Sequence, residues 1–231
     1  MDSLHNSLVA ISQFLYTIFI VFVTNALVKK GVLSQEMSRK IVHIWAGGMV
    51  LFWPLYRGHW APYFFCITPG LWVFILVYTA LTKGPDDPSV RSMTRTGNPK
   101  DLLKGVLFFP LMTIALTLAF WRGGSVSADQ FPALAGIAAV GFGDGIAPIT
   151  SRLESPGFGI LGSRKSLTGS LGMFLGTLVS IAALSPLILG YWPGVTKLLI
   201  VSAVATLVEA LSPPEVDNLL VAAATAAVAA L

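Results

Sequence analysis

Few of the chain's 231 residues carry groups able to do chemistry, and those that do recur in short runs. The densest run is Gly141-Phe-Gly-Asp-Gly-Ile-Ala-Pro148, followed by Ser163-Arg-Lys-Ser-Leu-Thr-Gly-Ser170. Asp144 stands between Gly143 and Gly145 in an otherwise apolar stretch. An ionisable group at membrane depth is costly and marks a functional site by default. A carboxylate of this kind suits Mg2+ that is itself bound to phosphates, and flanking glycines let backbone amides approach a ligand. The bland alternative is a helix start that Asp144 caps after a break at Gly143. Lys165, Ser166 and Ser170, with Gly169 between them, open the next apolar run. A cation, hydroxyls and unsatisfied amides at a helix N-terminus favour phosphate. A snorkelling lysine and an N-capping serine give the same pattern.

Three further groups stand out. In Ser38-Arg-Lys-Ile-Val-His43, Arg39 and His43 are four apart and share a helix face. His43 then lies one turn inside the membrane, where a neutral imidazole accepts a proton or binds phosphate; a hydrogen-bonded packing histidine is the alternative. Glu209 ends an apolar run, and Asp217 and Asn218 begin the next after a break at Ser212-Pro-Pro214. A polar loop over 92–105 carries Arg95, Lys100 and Lys104, which either hold nucleotide phosphates or form an ordinary basic loop.

The elements that must position these groups are apolar helices. The chain is 55% hydrophobic and 11% charged, with mean hydropathy +0.76, whereas a soluble domain carries roughly 25% charged residues. Apolar runs of about 20 residues match a bilayer core of about 30 Å. Eight are present, at 8–28, 41–56, 61–81, 103–121, 131–149, 167–189, 195–211 and 216–231. The second is short and the eighth stops with the chain. The prediction is an all-α, polytopic integral membrane bundle of seven to eight transmembrane segments, forming one transmembrane domain over 1–231. The longest connection, 82–102, is too short for a soluble domain. One cysteine, Cys66, excludes a disulfide framework and reads as an apolar filler. A cleavable signal peptide is not expected, because the first apolar run is long and lacks a basic region before it.

Charge fixes the predicted orientation. When connections alternate between two sides, 12 of the 15 Lys and Arg fall on one side, leaving Arg57, Arg122 and Lys197 on the other. The rich side is therefore predicted cytoplasmic and the amino terminus outside. Basic residues confined to short loops are a topology pattern, so no nucleic-acid partner is expected. Of the 11 carboxylates, only Asp2 and Asp129 lie away from the rich side. Topology alone enriches cations. Both signs crowded on one face point to an anionic, metal-bound substrate.

Taken together, Gly143-Asp-Gly-Ile-Ala147 and Lys165-Ser-Leu-Thr-Gly-Ser170 resemble the signature of the polyprenol kinase family, which includes phytol, farnesol and dolichol kinases and a CTP-dependent diacylglycerol kinase. Arg39-Lys-Ile-Val-His43, Leu102-Leu-Lys-Gly105, Thr206-Leu-Val-Glu-Ala210 and Asp217-Asn218 resemble the phytol kinase branch in the same order, from about residue 38 to the end. The resemblance implies a membrane-embedded kinase that moves the γ-phosphate of CTP, or of another triphosphate such as ATP, to an isoprenoid alcohol such as phytol, farnesol or geranylgeraniol. It implies Asp144, Lys165 and His43 as catalytic residues, with His43 the base for the alcohol. Arg39, Lys40, Lys104 and Arg164 would bind nucleotide, with Gly143, Gly145, Ser166, Gly169 and Ser170. The prenol would enter sideways from the bilayer.

Two departures matter. Relatives follow Gly-Asp-Gly with Ala-Asp, where this chain has Pro148, and carry Gly-Arg-Arg where it has Ser151-Arg-Leu153. With that acid gone, Glu209 or Asp217 is expected to join Asp144 at Mg2+. Two other readings stay open: a CTP-dependent phospholipid cytidylyltransferase, whose long Gly-His-Gly-Gly and paired-Asp signature is absent here, and a small ion-coupled transporter using Asp144 and Glu209.

Overall fold

The computed structural model describes residues 1–94, 96–153, 157–160, 163–213 and 216–231. Each of the eight apolar runs is helical. Helix α1 spans Asp2–Lys29. Helix α2 spans Gln35–Gly47, started by the Ser34 hydroxyl accepting from the Met37 amide, and continues as a 3-10 stretch over Gly48–Leu55 that contains Pro54. The 3-10 turn rises more per residue than an α-helix, which lengthens a run that reads as short. Helix α3 covers Ala61–Thr82, with Pro62 in its first turn, where a proline costs no hydrogen bond.

The 82–102 connection, which includes most of the polar loop expected over 92–105, is folded. It holds a short helix α4, Pro88–Met93, and a 3-10 turn, Pro99–Leu103, capped by Asp87 and Asn98. The Asp87 carboxyl accepts from the Ser89 hydroxyl and amide, and these bonds hold its pKa below the ordinary carboxylate range. Val90 and Leu102 pack against Leu76 of α3 in a small core of their own, so the connection folds back onto the bundle.

Helix α5 spans Gly105–Phe120. Helix α6, Phe131–Ala138, runs into a π-helical stretch, Ala139–Asp144, and then into α7, Gly145–Thr150. A two-stranded antiparallel hairpin follows, β1 Gly157–Ile160 and β2 Ser163–Ser166, pairing Gly157 with Ser166 and Phe158 with Lys165. Helix α8, Leu167–Leu184, ends in a π turn over Ser185–Leu189. Helices α9, Val195–Leu211, and α10, Asp217–Ala229, close the chain.

The protein is an all-α polytopic bundle, in which five helical stretches among the described residues are long and apolar enough to cross a membrane. Most residues of the Ala128–Thr150 stretch's most apolar part are buried and few of those of α1 are, so α6 with its π segment is the centre and α1 the periphery. Small residues allow that centre to be crowded. A Cβ on Gly136 would stand 2.7 Å from the Ala222 carbonyl oxygen, because α10 lies directly on α6.

The two sides distinguished by charge are two ends of this bundle. At one end Asn6 donates to the Arg57 carbonyl (2.8 Å) and accepts from the Arg57 amide (2.9 Å), and the Gly124 amide donates to the Gly58 carbonyl (3.1 Å). At the other end Lys40 reaches Asp144, and Asn218 Nδ2 donates to the Gly105 carbonyl (2.7 Å).

Candidate active site at one end of the bundle

Asp144 is the last residue of the π segment, and π turns concentrate at functional sites because they widen the helix and re-aim one side chain. Its neighbours are set by two close helix crossings. A Cβ on Gly47 would lie 2.8 Å from Gly141 Cα, so α2 touches the π segment backbone to backbone. A Cβ on Gly145 would lie 2.4 Å from Ile44, and one on Gly143 would lie 2.3 Å from Thr177 of α8. The sequence pattern assigns these glycines to a ligand. The space that a Cβ would take at Gly143 and Gly145 is filled by Thr177 of α8 and Ile44 of α2, so these glycines let both helices close onto Asp144.

Across the α2 crossing, Lys40 Nζ donates to Asp144 Oδ2 at 3.2 Å and to the Asp144 carbonyl at 3.3 Å. His43, one turn further, places Nε2 3.0 Å from the Val140 carbonyl and 3.4 Å from Asp144 Oδ2. Carbonyl and carboxylate oxygens only accept, so Nε2 carries the hydrogen and Nδ1 is left with the lone pair. The imidazole also packs against Phe109, with ring centroids 5.0 Å apart. The Lys40 and Asp144 side chains are 8% and 16% exposed, so this pair is sheltered from solvent.

A second sheltered ion pair lies on the α8–α9 side. Lys165 at the end of β2 pairs with Glu209 in the last turn of α9. Ser166 accepts from the Gly169 amide at 3.1 Å and so caps α8. Ser170 Oγ is buried without a hydrogen-bond partner among the described residues. The Arg164 side chain and Arg95 lie outside the described residues.

A cavity of about 290 Å³ opens against Asp144. Its polar end gathers Arg39, Lys40, His43, Lys104, Asp144 and Asp217, residues that lie far apart in the sequence. Lys165, Ser166, Gly169, Ser170 and Glu209 are outside its lining. The lining adds Thr94, Thr96, Asp101 and Asn218, of which Asp101 accepts from Thr96 at 2.6 Å. Thr96 and Asp101 belong to the 92–105 loop already marked by its basic residues, so their position was the available signal. Past His43 the walls turn apolar, with Trp45, Met49, Trp72 and Phe109. Nothing in the sequence separates these from lipid-facing residues, because a lipid-facing wall and an apolar cavity wall have the same composition.

No group of three His, Cys, Asp or Glu side chains among the described residues is arranged to hold a metal ion. Mg2+ is usually bound by one or two carboxylates together with substrate phosphates and water. Asp144 and Asp217 both line the cavity, while Glu209, paired with Lys165, lies outside its lining.

Known proteins resemble the chain over most of its length. Phytol kinase 1, chloroplastic, of Arabidopsis thaliana is 34% identical over 203 residues, which cover 84% of this chain and 64% of that protein. Probable phytol kinase 1, chloroplastic, of Glycine max is 35% identical over 214 residues, covering 88% and 69%. Farnesol kinase, chloroplastic, of Arabidopsis thaliana is 30% identical over 210 residues, covering 87% and 66%. The chain thus spans 64% of the first of these relatives and 69% and 66% of the other two. No family model matches the chain, and no solved structure matches it.

Proposed function

This chain belongs to the polyprenol kinase family, that of the phytol and farnesol kinases, and we propose that it is a membrane-embedded lipid-alcohol kinase. It transfers the γ-phosphate of CTP, or of another nucleoside triphosphate, to an isoprenoid alcohol such as phytol, farnesol or geranylgeraniol. The observation that carries this is the cavity: cations and carboxylates at one end, an apolar sleeve at the other, with His43 where they meet. An amphipathic alcohol has the same division.

Phosphoryl transfer needs mainly positioning and charge neutralisation. Arg39, Lys40 and Lys104 supply positive charge around the cavity mouth, and Lys165 supplies it from the α8 side. His43 holds its Nε2 hydrogen on the Val140 carbonyl, which leaves Nδ1 to take the hydroxyl proton. Asp144 orients both Lys40 and His43 through Oδ2. Mg2+, held by Asp144 with Asp217 or Glu209, would neutralise charge on the triphosphate. The 12-to-3 distribution of Lys and Arg supports an active face on the cytoplasmic side and an amino terminus outside.

The test is a thin-layer assay of phytol, farnesol, geranylgeraniol and diacylglycerol with CTP and with ATP, each γ-labelled. Label on an isoprenoid alcohol is the expected result. Release of pyrophosphate from CTP with phosphatidate as acceptor instead identifies a cytidylyltransferase, and the absence of both products favours transport.

A further inference from the structure

The apolar half of the cavity has a floor. Helix α2 and the 3-10 stretch after it form one wall, with Trp45, Ala46 and Met49 following His43 downward. At Trp45 the Tyr16 hydroxyl donates to the Trp45 carbonyl (3.0 Å), and its ring packs on Trp45 and Phe52 with centroids 6.0 and 5.5 Å away. Trp72 Nε1 donates to Thr17 Oγ1 (2.8 Å), which ties α3 to α1 at the same level. Beneath that level Gln13, Thr68, Trp53 and Phe65 are fully buried, and Thr68 donates to the Ala10 carbonyl (3.4 Å). None of these four side chains is in the cavity lining.

The depth follows from helix geometry. Met49 lies six positions beyond His43, about 9 Å along an α-helical axis and slightly more through the 3-10 turn, the length of roughly two extended isoprene units. A fully extended four-unit alcohol whose hydroxyl meets His43 is longer than this. The wall that can release its tail lies above that contact: Ile20 and Val21 of α1 and Val42 and Trp45 of α2 all line the cavity, and Trp45 is 45% exposed.

We infer that the cavity sheathes only the hydroxyl-proximal two isoprene units of its alcohol, and that the rest passes out beside Trp45 between α1 and α2 into the bilayer. This rests on the lipid-alcohol kinase reading. It makes the protein selective for the head of an isoprenoid chain and tolerant of its length. Units beyond the floor exchange contact with lipid for contact with lipid, and no strong preference arises from that exchange.

The test uses the full chain in mixed lipid–detergent micelles, with farnesol and geranylgeraniol at equal mole fraction and γ-labelled CTP or ATP. The two alcohols are expected to agree in kcat/KM within about threefold, since the added unit meets only lipid. A larger difference in either direction overturns the inference, because it shows that the fourth unit is read. Ala46→Phe places a ring halfway down the sleeve, and both alcohols should fall by one common factor, on the order of tenfold or more, as expected of overfilling a packed site. Unchanged turnover in folded Ala46→Phe also overturns it. If Ala46→Phe does not fold, the ratio of the two alcohols in the parent decides between the outcomes. Phosphorylation of no alcohol at all overturns the kinase reading and this inference with it, whereas phosphorylation with steep length selectivity overturns this inference alone.

Discussion

Asp144→Asn separates the chemical and structural work of the central carboxylate. The substitution keeps size and an oxygen acceptor but removes the charge that faces Lys40 Nζ at 3.2 Å. At an effective dielectric of about 20, that Coulomb attraction is about 5 kcal/mol. Desolvation of both ions opposes part of it, and the asparagine oxygen still accepts one hydrogen bond. Because Lys40 is only 8% exposed, it is left as a sheltered cation without its counter-charge. A net destabilisation on the order of 3 kcal/mol is expected, at the low end for breaking a buried pair. Turnover per folded molecule should fall by about 10²-fold or more, the scale of losing one strong electrostatic contact in the transition state. Two readouts are needed: the thermal midpoint of the purified protein, and γ-label transfer normalised to the folded fraction. Adding Lys40→Met to Asp144→Asn should return the midpoint to within about 1 kcal/mol of the parent, since a buried pair is replaceable by apolar groups. It should not return activity. Near-parent turnover in folded Asp144→Asn would refute the catalytic role, and a midpoint unmoved by the second substitution would refute the ion-pair account.

Other perturbations probe the remaining parts. Glu209→Gln and Asp217→Asn should each raise the Mg2+ concentration for half-maximal activity; if neither does, the carboxylates of α9 and α10 do not share a metal with Asp144. Lys165→Ala should raise the KM for nucleotide more than it lowers kcat, as measured in a nucleotide titration at saturating alcohol. Gly47→Ala should cost on the order of 1–3 kcal/mol, because its Cβ would meet Gly141 Cα at 2.8 Å and neither backbone yields easily; the thermal midpoint reports it. Cysteines at Lys83 and at Arg57, in a Cys66→Ala background, should react with impermeant maleimide from opposite sides of the membrane, Arg57→Cys from outside.

The apolar runs determined the helices by themselves, because a bilayer-length segment has no option but to satisfy its backbone internally. The run at 195–211 is α9 to the residue, and the sorting of cations between alternate loops anticipated the two ends of the bundle. Asp144, Lys165, His43 and Glu209 were legible for one reason: a charged or ionisable group is rare in so apolar a chain, and rarity is visible without coordinates. Partnership was not. Nearness in the chain suggests Lys165 beside Asp144, yet Asp144 pairs with Lys40, 104 residues away, and Lys165 with Glu209. Pairing is decided by which helices cross, and the crossings are decided by glycines such as Gly47 and Gly141, whose missing side chains matter only once a second backbone is known to lie against them. The 82–102 connection reads as polar loop because its apolar residues, Val90 and Leu102, are too few to show a period; they fold against Leu76 only after α3 exists to receive them. The cavity was beyond the sequence altogether. Its wall is built from apolar residues that would look the same facing lipid, and only tertiary packing turns such faces toward one another.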